Sequence, residues 1–186
     1  MYWYLIGACA FIVAVVVAIV LISRHASKKR FLELVRQSKE YLLKIEDFFT
    51  DLNQLSQNYI TKSAEVSFEN KWNQFYTEVQ NKHFSTAIPE YEKISFFLKT
   101  FANLHSEIET RNNCFITEEI QKNDELLSNI DGKSLDEQQR KVVVSDEDRT
   151  LVLAGAGSGK TLTIAAKVKY LCQVKHISPE GKSFIG

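Results

Sequence analysis

The sequence has few of the residues that interrupt helices or build disulfide and metal sites. Its 186 residues include two prolines, seven glycines and three cysteines. The cysteines, Cys9, Cys114 and Cys172, are far apart and odd in number, and no Cys-x-x-Cys pair occurs. This pattern excludes a disulfide framework and a zinc site of the usual spacing, and the four scattered histidines form no ligand set. We expect reduced, buried thiols.

The sequence also lacks a net charge, because 23 Lys and Arg residues balance 23 Asp and Glu residues. The overall charge therefore does not predict a nucleic-acid partner, although a local basic groove is compatible with a neutral total. The length is sufficient for about one domain with an appendage.

An uncharged stretch of 18 residues runs from Leu5 to Ile22 and consists mostly of Val, Ile, Ala and Leu. A helix of this length spans about 27 Å, close to the hydrocarbon thickness of a bilayer. Aromatic residues precede it and a basic juxtamembrane segment, 24–30, follows it, which places the N-terminus outside by the positive-inside rule. We therefore predict a transmembrane anchor over residues 1–23, in the membrane through residues 2–22, in a single-pass protein whose bulk is cytoplasmic. The alternative is a buried helix of a soluble protein.

Residues 31–130 are predicted to form a helical accessory region. Over residues 31–60, positions spaced alternately by four and three form an a/d seam: Leu34, Ser38, Tyr41, Ile45, Phe48, Leu52, Leu55 and Tyr59. This seam suits a coiled coil through which the chain self-associates, or a core-facing helix of a bundle, and the wider apolar face favours the bundle. Further helices are predicted over 61–83, from Pro89 through Ile108, and over 117–130. Their aromatic residues are more typical of a core than of base stacking.

A turn at Asp131-Gly132-Lys133 predicts a domain boundary, and residues 131–186 form the second domain. Ser134, with Glu137 three residues later, predicts a capping box at the start of a short helix. The acidic residues 146–148 follow this helix. Three consecutive acids cannot all face one metal ion without a tailored loop, so we expect a solvated turn rather than a metal site.

Residues 151–161, Leu-Val-Leu-Ala-Gly-Ala-Gly-Ser-Gly-Lys-Thr, carry the most informative pattern. An apolar strand, a glycine-rich turn and a helix follow one another as in a phosphate-binding loop, with Ala154 where the pattern usually has Gly. Lys160 can reach the β- and γ-phosphates and is the predicted catalytic residue, and the Thr161 hydroxyl can ligate Mg²⁺. The predicted nucleotide-binding residues of the loop are Ala154, Gly155, Ala156, Gly157, Ser158, Gly159, Lys160 and Thr161. The alternative is a strand-to-helix turn without a ligand.

Residues 135–140, Leu-Asp-Glu-Gln-Gln-Arg, stand about ten residues before this loop, and the two together resemble the start of the motor core of UvrD/Rep-type superfamily 1 DNA helicases. The Ala-first loop is typical of that family, and the run 130–136 resembles the helicase IV branch more closely. The resemblance covers roughly residues 130–175. It implies the truncated start of an α/β, RecA-like P-loop NTPase domain that binds ATP and Mg²⁺. It also implies that Gln139 reads adenine through its amide and that Arg140 supports the base or the neighbouring backbone.

By this resemblance, the chain is the front end of a membrane-anchored, ATP-dependent DNA helicase. The sequence ends at Gly186, before the Asp-Glu pair, the arginine finger and the second motor domain of such an ATP hydrolase. We therefore expect a fragment that binds nucleotide weakly at best and hydrolyses none, with DNA as a partner of the full-length protein. The alternatives are a membrane-anchored helical interaction protein with a vestigial nucleotide-binding loop, and a different P-loop ATPase.

Overall fold

The computed structural model describes residues 2–82, 84–152, 157 and 159–177, with side chains from residue 15 onward. This part of the chain contains seven helices. They are α1 (Tyr2–Leu55), α2 (Lys62–Asn81), α3 (Tyr91–Ala102), α4 (Leu104–Lys122), α5 (Asp124–Ser128), α6 (Glu137–Val144) and α7 (Lys160–Gln173). The chain divides into two compact units. The first comprises Met1–Asp47 and Thr77–Lys99, and the second comprises Phe48–Tyr76 and Thr100–Gly186.

The α/β fold predicted for residues 131–186 is wrong. The described ranges contain no β-strand, and their β-pairing is limited to an isolated bridge between Ile130 and Lys133. Residues 151–152, predicted as strand, are exposed, and no described segment pairs with them. A strand forms only where a neighbour takes up its backbone hydrogen bonds. Residues 184–186, expected to open the next strand, lie outside the described residues.

The transmembrane anchor predicted for residues 1–23 is also wrong. In the part of the molecule that the structure describes, no helix has both the length and the apolar character needed to cross a membrane. The apolar residues 15–22 lie within α1. The same helix then continues without a break through the basic segment 24–30. The predicted location as a single-pass membrane protein, with its orientation, depends on this anchor and is therefore also wrong. The side chains of residues 2–14 lie outside the description.

In the first unit, the polar break in the predicted seam is a buried contact. Ser38 is fully buried, and its hydroxyl can donate to Val35 O at 2.8 Å or to Glu90 Oε2 at 2.9 Å. One turn later, the Tyr41 hydroxyl donates to Glu78 Oε1, and the Tyr41 ring meets the Phe84 ring edge-on. Burial, together with the Glu78 carboxylate, raises the pKa of Tyr41 to about 12.

In the second unit, the continuation of the seam is the centre of an aromatic cluster. Phe48 is fully buried, and its ring centroid lies 5.3 Å from that of Phe68, 5.5 Å from Trp72 and 6.1 Å from Phe101. Aromatic rings at these separations add to the free energy gained by burying their area. The seam of α1 therefore packs within the chain, as a core-facing helix does. Self-association through the 31–60 helix stays a prediction.

Two asparagines divide helices that the sequence predicts to be continuous. Asn103 separates α3 from α4 with φ −115° and ψ 26°, and Asn123 separates α4 from α5 with φ −112° and ψ 22°. The Asn123 side-chain amide donates to Glu119 O at 2.8 Å. Asparagine favours such breaks because its side chain competes for backbone hydrogen bonds.

The acidic residues 146–148 are exposed or partly exposed, as a solvated turn is, but two of them also cap the N-terminus of α2. The Lys62 N–H donates to Glu147 Oε1 at 2.8 Å, and the Ser63 N–H donates to Asp148 Oδ2 at 2.9 Å. The first N–H groups of a helix have no partner within the helix, and the positive end of its dipole favours an anion there. A segment 85 residues away thus completes the start of α2.

Replacing Phe48 by Ala should lower the free energy of unfolding by about 3–5 kcal/mol, because it leaves a cavity between three other rings. Val66→Ala is the matched control, since Val66 lies on α2 of the same unit and is 44% exposed. Its effect should stay within about 0.5 kcal/mol. Urea unfolding followed by circular dichroism measures both. Similar losses in the two variants would contradict the placement of Phe48.

The cap on α2 should be lost at acid pH. The hydrogen bonds from Ser63 hold the pKa of Asp148 below its ordinary value. A carboxyl group with a lowered pKa stabilises the fold above its unfolded pKa, near 4, and this contribution disappears as the pH falls through the lowered value. The native chain should therefore be more stable than Asp148→Asn at about pH 6, and the difference should close towards about pH 2.5. Urea unfolding across this range tests it, and a constant difference would contradict it.

Candidate nucleotide-binding site

Helix α6 begins with a capping box two residues later than the sequence predicts. Asp136 is the N-cap, and its Oδ1 accepts from the Gln139 N–H at 2.8 Å. In return, Gln139 Oε1 accepts from the Asp136 N–H at 3.0 Å. The prediction of Ser134 and Glu137 for these roles is wrong. Leu135 is buried with its N–H donating to Leu127 O, so the chain has not yet turned into the helix at Ser134.

Helix α7 begins at a glycine with a left-handed backbone. Gly159 is the N-cap, with φ 81° and ψ 18°, and Gly157 has φ 77°. Residues that carry a Cβ rarely adopt such φ values, so glycine is favoured at both positions. The first turn of α7 then carries Lys160 and Thr161, which are both exposed. The helix terminus that binds a phosphate in a P-loop is therefore open to solvent in this structure.

Gln139 and Gly159, 20 positions apart in sequence, lie against each other. A Cβ on Gly159 would stand 2.6 Å from Gln139 Nε2, closer than real Cβ contacts come. The amide of the predicted adenine-reading residue therefore rests on the Cα of a predicted phosphate-loop residue. The capping box fixes the amide from one side, since its Oε1 is bonded to Asp136. The absence of a Cβ on Gly159 makes room for it on the other side.

Helices α6 and α7 are held together by an apolar cluster and by a lysine. The Lys167 ammonium donates to Val143 O at 2.9 Å and to Ser145 O at 2.6 Å, at the C-terminal end of α6. A cation at that end satisfies carbonyl groups that lack partners within the helix. The cluster includes Leu127, Ile130, Leu135, Val143, Val144, Ala166, Tyr170 and Leu171. Ile164, on the same helix, is 58% exposed.

Arg140 connects the start of α6 to α5 and its following turn. Its guanidinium donates to Leu135 O at 3.0 Å, to Asp124 Oδ1 at 2.5 Å and to Ser128 Oγ at 2.8 Å. Hydrogen bonding from Arg140 lowers the pKa of Asp124. These three partners all precede α6 in the sequence. The predicted support of a base by Arg140 stays a prediction.

Tyr170 and Glu119 form a buried pair that the sequence analysis missed. The Tyr170 hydroxyl donates to Glu119 Oε2 at 2.6 Å, and this links the C-terminal half of α7 to α4. Burial, together with the Glu119 carboxylate, raises the pKa of Tyr170. The ammonium groups of Lys175 and Lys122 lie 3.6 and 3.7 Å from the carboxylate of Glu119. The sequence signal that could have indicated this pair is the position of Glu119, an acidic residue directly before the apolar Ile120 of α4.

The structure thus describes part of the predicted site. The described site residues include Gln139, Gly157, Gly159, Lys160 and Thr161. Gln139 contacts Gly159. Across the described residues, no group of His, Cys, Asp and Glu side chains could hold a metal ion. The site predicted at Thr161 is of a different kind, in which a hydroxyl and phosphates would share the ion, and it stays a prediction. The predicted loop residues Ala154, Gly155, Ala156 and Ser158 lie outside the described residues.

Comparison with known proteins concerns the same segment. Residues 135–181 match the UvrD/REP helicase N-terminal domain. The ATP-dependent DNA helicase srs2 of Schizosaccharomyces pombe is 50% identical over 48 residues, which are 26% of this chain and 5% of that helicase. No solved structure matches the chain. The predicted resemblance to UvrD/Rep-type DNA helicases is thereby confirmed for this segment. The narrower likeness to the helicase IV branch stays a prediction.

Replacing Gly159 by Ala should displace the Gln139 side chain, since Nε2 is the mobile end of that side chain. The left-handed backbone should cost about 1–2 kcal/mol of stability. Gly132→Ala is the matched control, because Gly132 has φ 80° and a Cβ added there would meet no atom within 4 Å. Both variants should lose similar stability, yet only Gly159→Ala should shift the Asp136 amide and Gln139 side-chain resonances in ¹H–¹⁵N spectra. Unchanged Gln139 resonances in Gly159→Ala would contradict the contact.

Proposed function

We propose that this chain binds ATP with Mg²⁺ at residues 154–161, and that it forms the front end of an ATP-dependent DNA helicase. The resemblance of residues 135–181 to the UvrD/REP N-terminal domain supports the class of protein. The observation that carries the proposal is the contact between Gln139 and Gly159. It brings a group that can read a base beside a loop of the kind that binds phosphates.

Gln139 has the hydrogen-bonding groups that the edge of adenine requires. Oε1 accepts from the Asp136 N–H, and an amide oxygen with its two lone pairs is the type of acceptor that suits the adenine amino group. Nε2 carries two N–H donors, which suit the N7 acceptor of the base. The capping box limits the rotation of the amide, so ordering this side chain on binding costs little entropy. We therefore assign Gln139 to base recognition.

The position of Lys160 and Thr161 supports a role at the phosphates. Both occupy the first turn of α7, where backbone N–H groups and the helix dipole favour an anion. The Lys160 ammonium supplies positive charge to the β- and γ-phosphates, and the Thr161 hydroxyl would hold the Mg²⁺ that neutralises them. Phosphoryl transfer to water and DNA unwinding are proposed for the whole protein that contains this chain.

Replacing Lys160 by Ala should weaken binding of Mg-ATP by roughly 10- to 100-fold, since a hydrogen bond from a charged group contributes about 1.5–3 kcal/mol. Lys141→Ala is the control, because Lys141 is an exposed lysine of α6 paired with Glu137. It should leave the Kd unchanged. Isothermal titration calorimetry of the 186-residue chain measures both. Equal affinities for the native chain and Lys160→Ala, or the absence of binding by the native chain, would contradict the proposal.

Base recognition has its own measurement in the same assay. The native chain should bind ATP more tightly than GTP, and Gln139→Ala should remove most of this difference. Replacing Lys160 in the Gln139→Ala variant should still weaken binding of the nucleotide. A preference that survives in Gln139→Ala would contradict the assigned role of Gln139 and leave the phosphate site in place.

A further inference from the structure

We propose that the accessory helices α2 and α4 hold the chain on both sides of the phosphate-binding loop, at residues 147–152 and along α7. Glu147 and Asp148 are the positioning residues before the loop, and Glu119, acting through Tyr170, is the positioning residue after it. The mechanical part of this inference stands on contacts within the second compact unit. Its consequence for nucleotide affinity rests on the function proposed above.

On the N-terminal side, two carboxylates hold the chain a few residues before the loop. Glu147 and Asp148 accept from the first two N–H groups of α2 at 2.8 and 2.9 Å. Glu147 Oε2 also lies 3.5 Å from the Tyr59 hydroxyl, which can donate to it. The residues that follow, 149–152, are all exposed. Their position therefore depends on where α2 holds the two carboxylates.

The start of α2 is suited to this task because its first two N–H groups take their acceptors from Glu147 and Asp148. The Thr61 hydroxyl accepts from the third one, the Ala64 N–H, at 3.2 Å. Without Glu147 and Asp148, the Lys62 and Ser63 N–H groups would have water as their acceptor. The contact therefore stabilises α2 and fixes the segment 149–152 at the same time.

On the C-terminal side, the support acts through a rigid helix. Tyr170 is fully buried, and its hydroxyl is bonded to Glu119 of α4 at 2.6 Å. Helix α7 is continuous from Lys160 to Gln173, so a fixed Tyr170 also fixes the direction of its first turn. Lys175, at 3.6 Å from Glu119, adds a second contact just beyond the end of α7. Glu119 thus adds a constraint on the orientation of α7 to those that come from α6.

The test removes the N-terminal support and reads its effect beyond α2, on the full 186-residue chain without nucleotide. The double variant Glu147→Ala/Asp148→Ala should speed amide hydrogen exchange in the first turn of α2 about fivefold. It should also lower the ¹⁵N order parameters of residues 149–152, to below about 0.6. Glu147→Gln/Asp148→Asn should restore part of both, because amide oxygens still accept hydrogen bonds. Asp146→Ala, which removes a neighbouring exposed carboxylate, should change neither.

Faster exchange in α2 with unchanged order in 149–152 would overturn the inference, because the carboxylates would then be caps alone. No change in either region would overturn it as well. If the double variant does not fold, the single variants Asp148→Ala and Glu147→Ala give the same comparison. The support after the loop is tested with Tyr170→Phe, which should speed exchange of the Thr163 amide at least about fivefold. Unchanged exchange there would remove Glu119 from the proposal.

A second arm connects the support to the proposed function. Mg-ATP should bind the double alanine variant several-fold more weakly than the native chain, although neither residue belongs to the loop. Absence of Mg-ATP binding by the native chain would refute the function proposed above. The dynamics measured without nucleotide would still decide the positioning role, so the two failures are distinguishable.

Discussion

The site depends on the missing side chain at Gly159. Its backbone is in the left-handed region, with φ 81°, and its open Cα receives the amide of Gln139. Any Cβ there would both strain the backbone and occupy the place of the amide. The same amide closes the capping box of α6 on Asp136. One close approach therefore connects the start of α6 to the start of α7 and brings together the two groups assigned to base and phosphate.

Around this contact, helix ends are completed by residues from distant segments. Lys167 of α7 satisfies carbonyl groups at the end of α6, and Glu147 and Asp148 satisfy N–H groups at the start of α2. In each case the sign of the charge matches the helix dipole. These polar contacts are directional, whereas the apolar cluster between α6 and α7 is not. We infer that the cluster supplies stability and that the polar contacts fix the relative placement of the segments around the loop.

Periodicity and turn chemistry predicted much of the local structure. The a/d seam is buried from Ser38 through Leu52, and Asp131-Gly132 forms the predicted turn because both residues adopt positive φ. The helix breaks at Asn103 and Asn123 carry only a weak local signal. The caps from residues 147 and 148 have no local signal at all, since their partners are 85 positions away. The predictions of a strand and of a membrane anchor are wrong because a strand needs a pairing neighbour and an anchor needs a bilayer. A short-range sequence pattern gives information about neither. For the candidate site, the motif predicted the residues, and the contact of Gln139 with Gly159 required the structure.

Binding of a nucleotide at the start of α7 is the central claim, and its most direct test is a titration of the ¹⁵N-labelled chain with Mg-ADP. The account predicts that the largest chemical-shift changes occur at the amides of Gly157, Gly159, Lys160 and Thr161 and at the side-chain amide of Gln139. Smaller changes should follow in the first turn of α2. Spectra without changes at these groups, or with the largest changes confined to residues outside the loop and α6, would contradict the account.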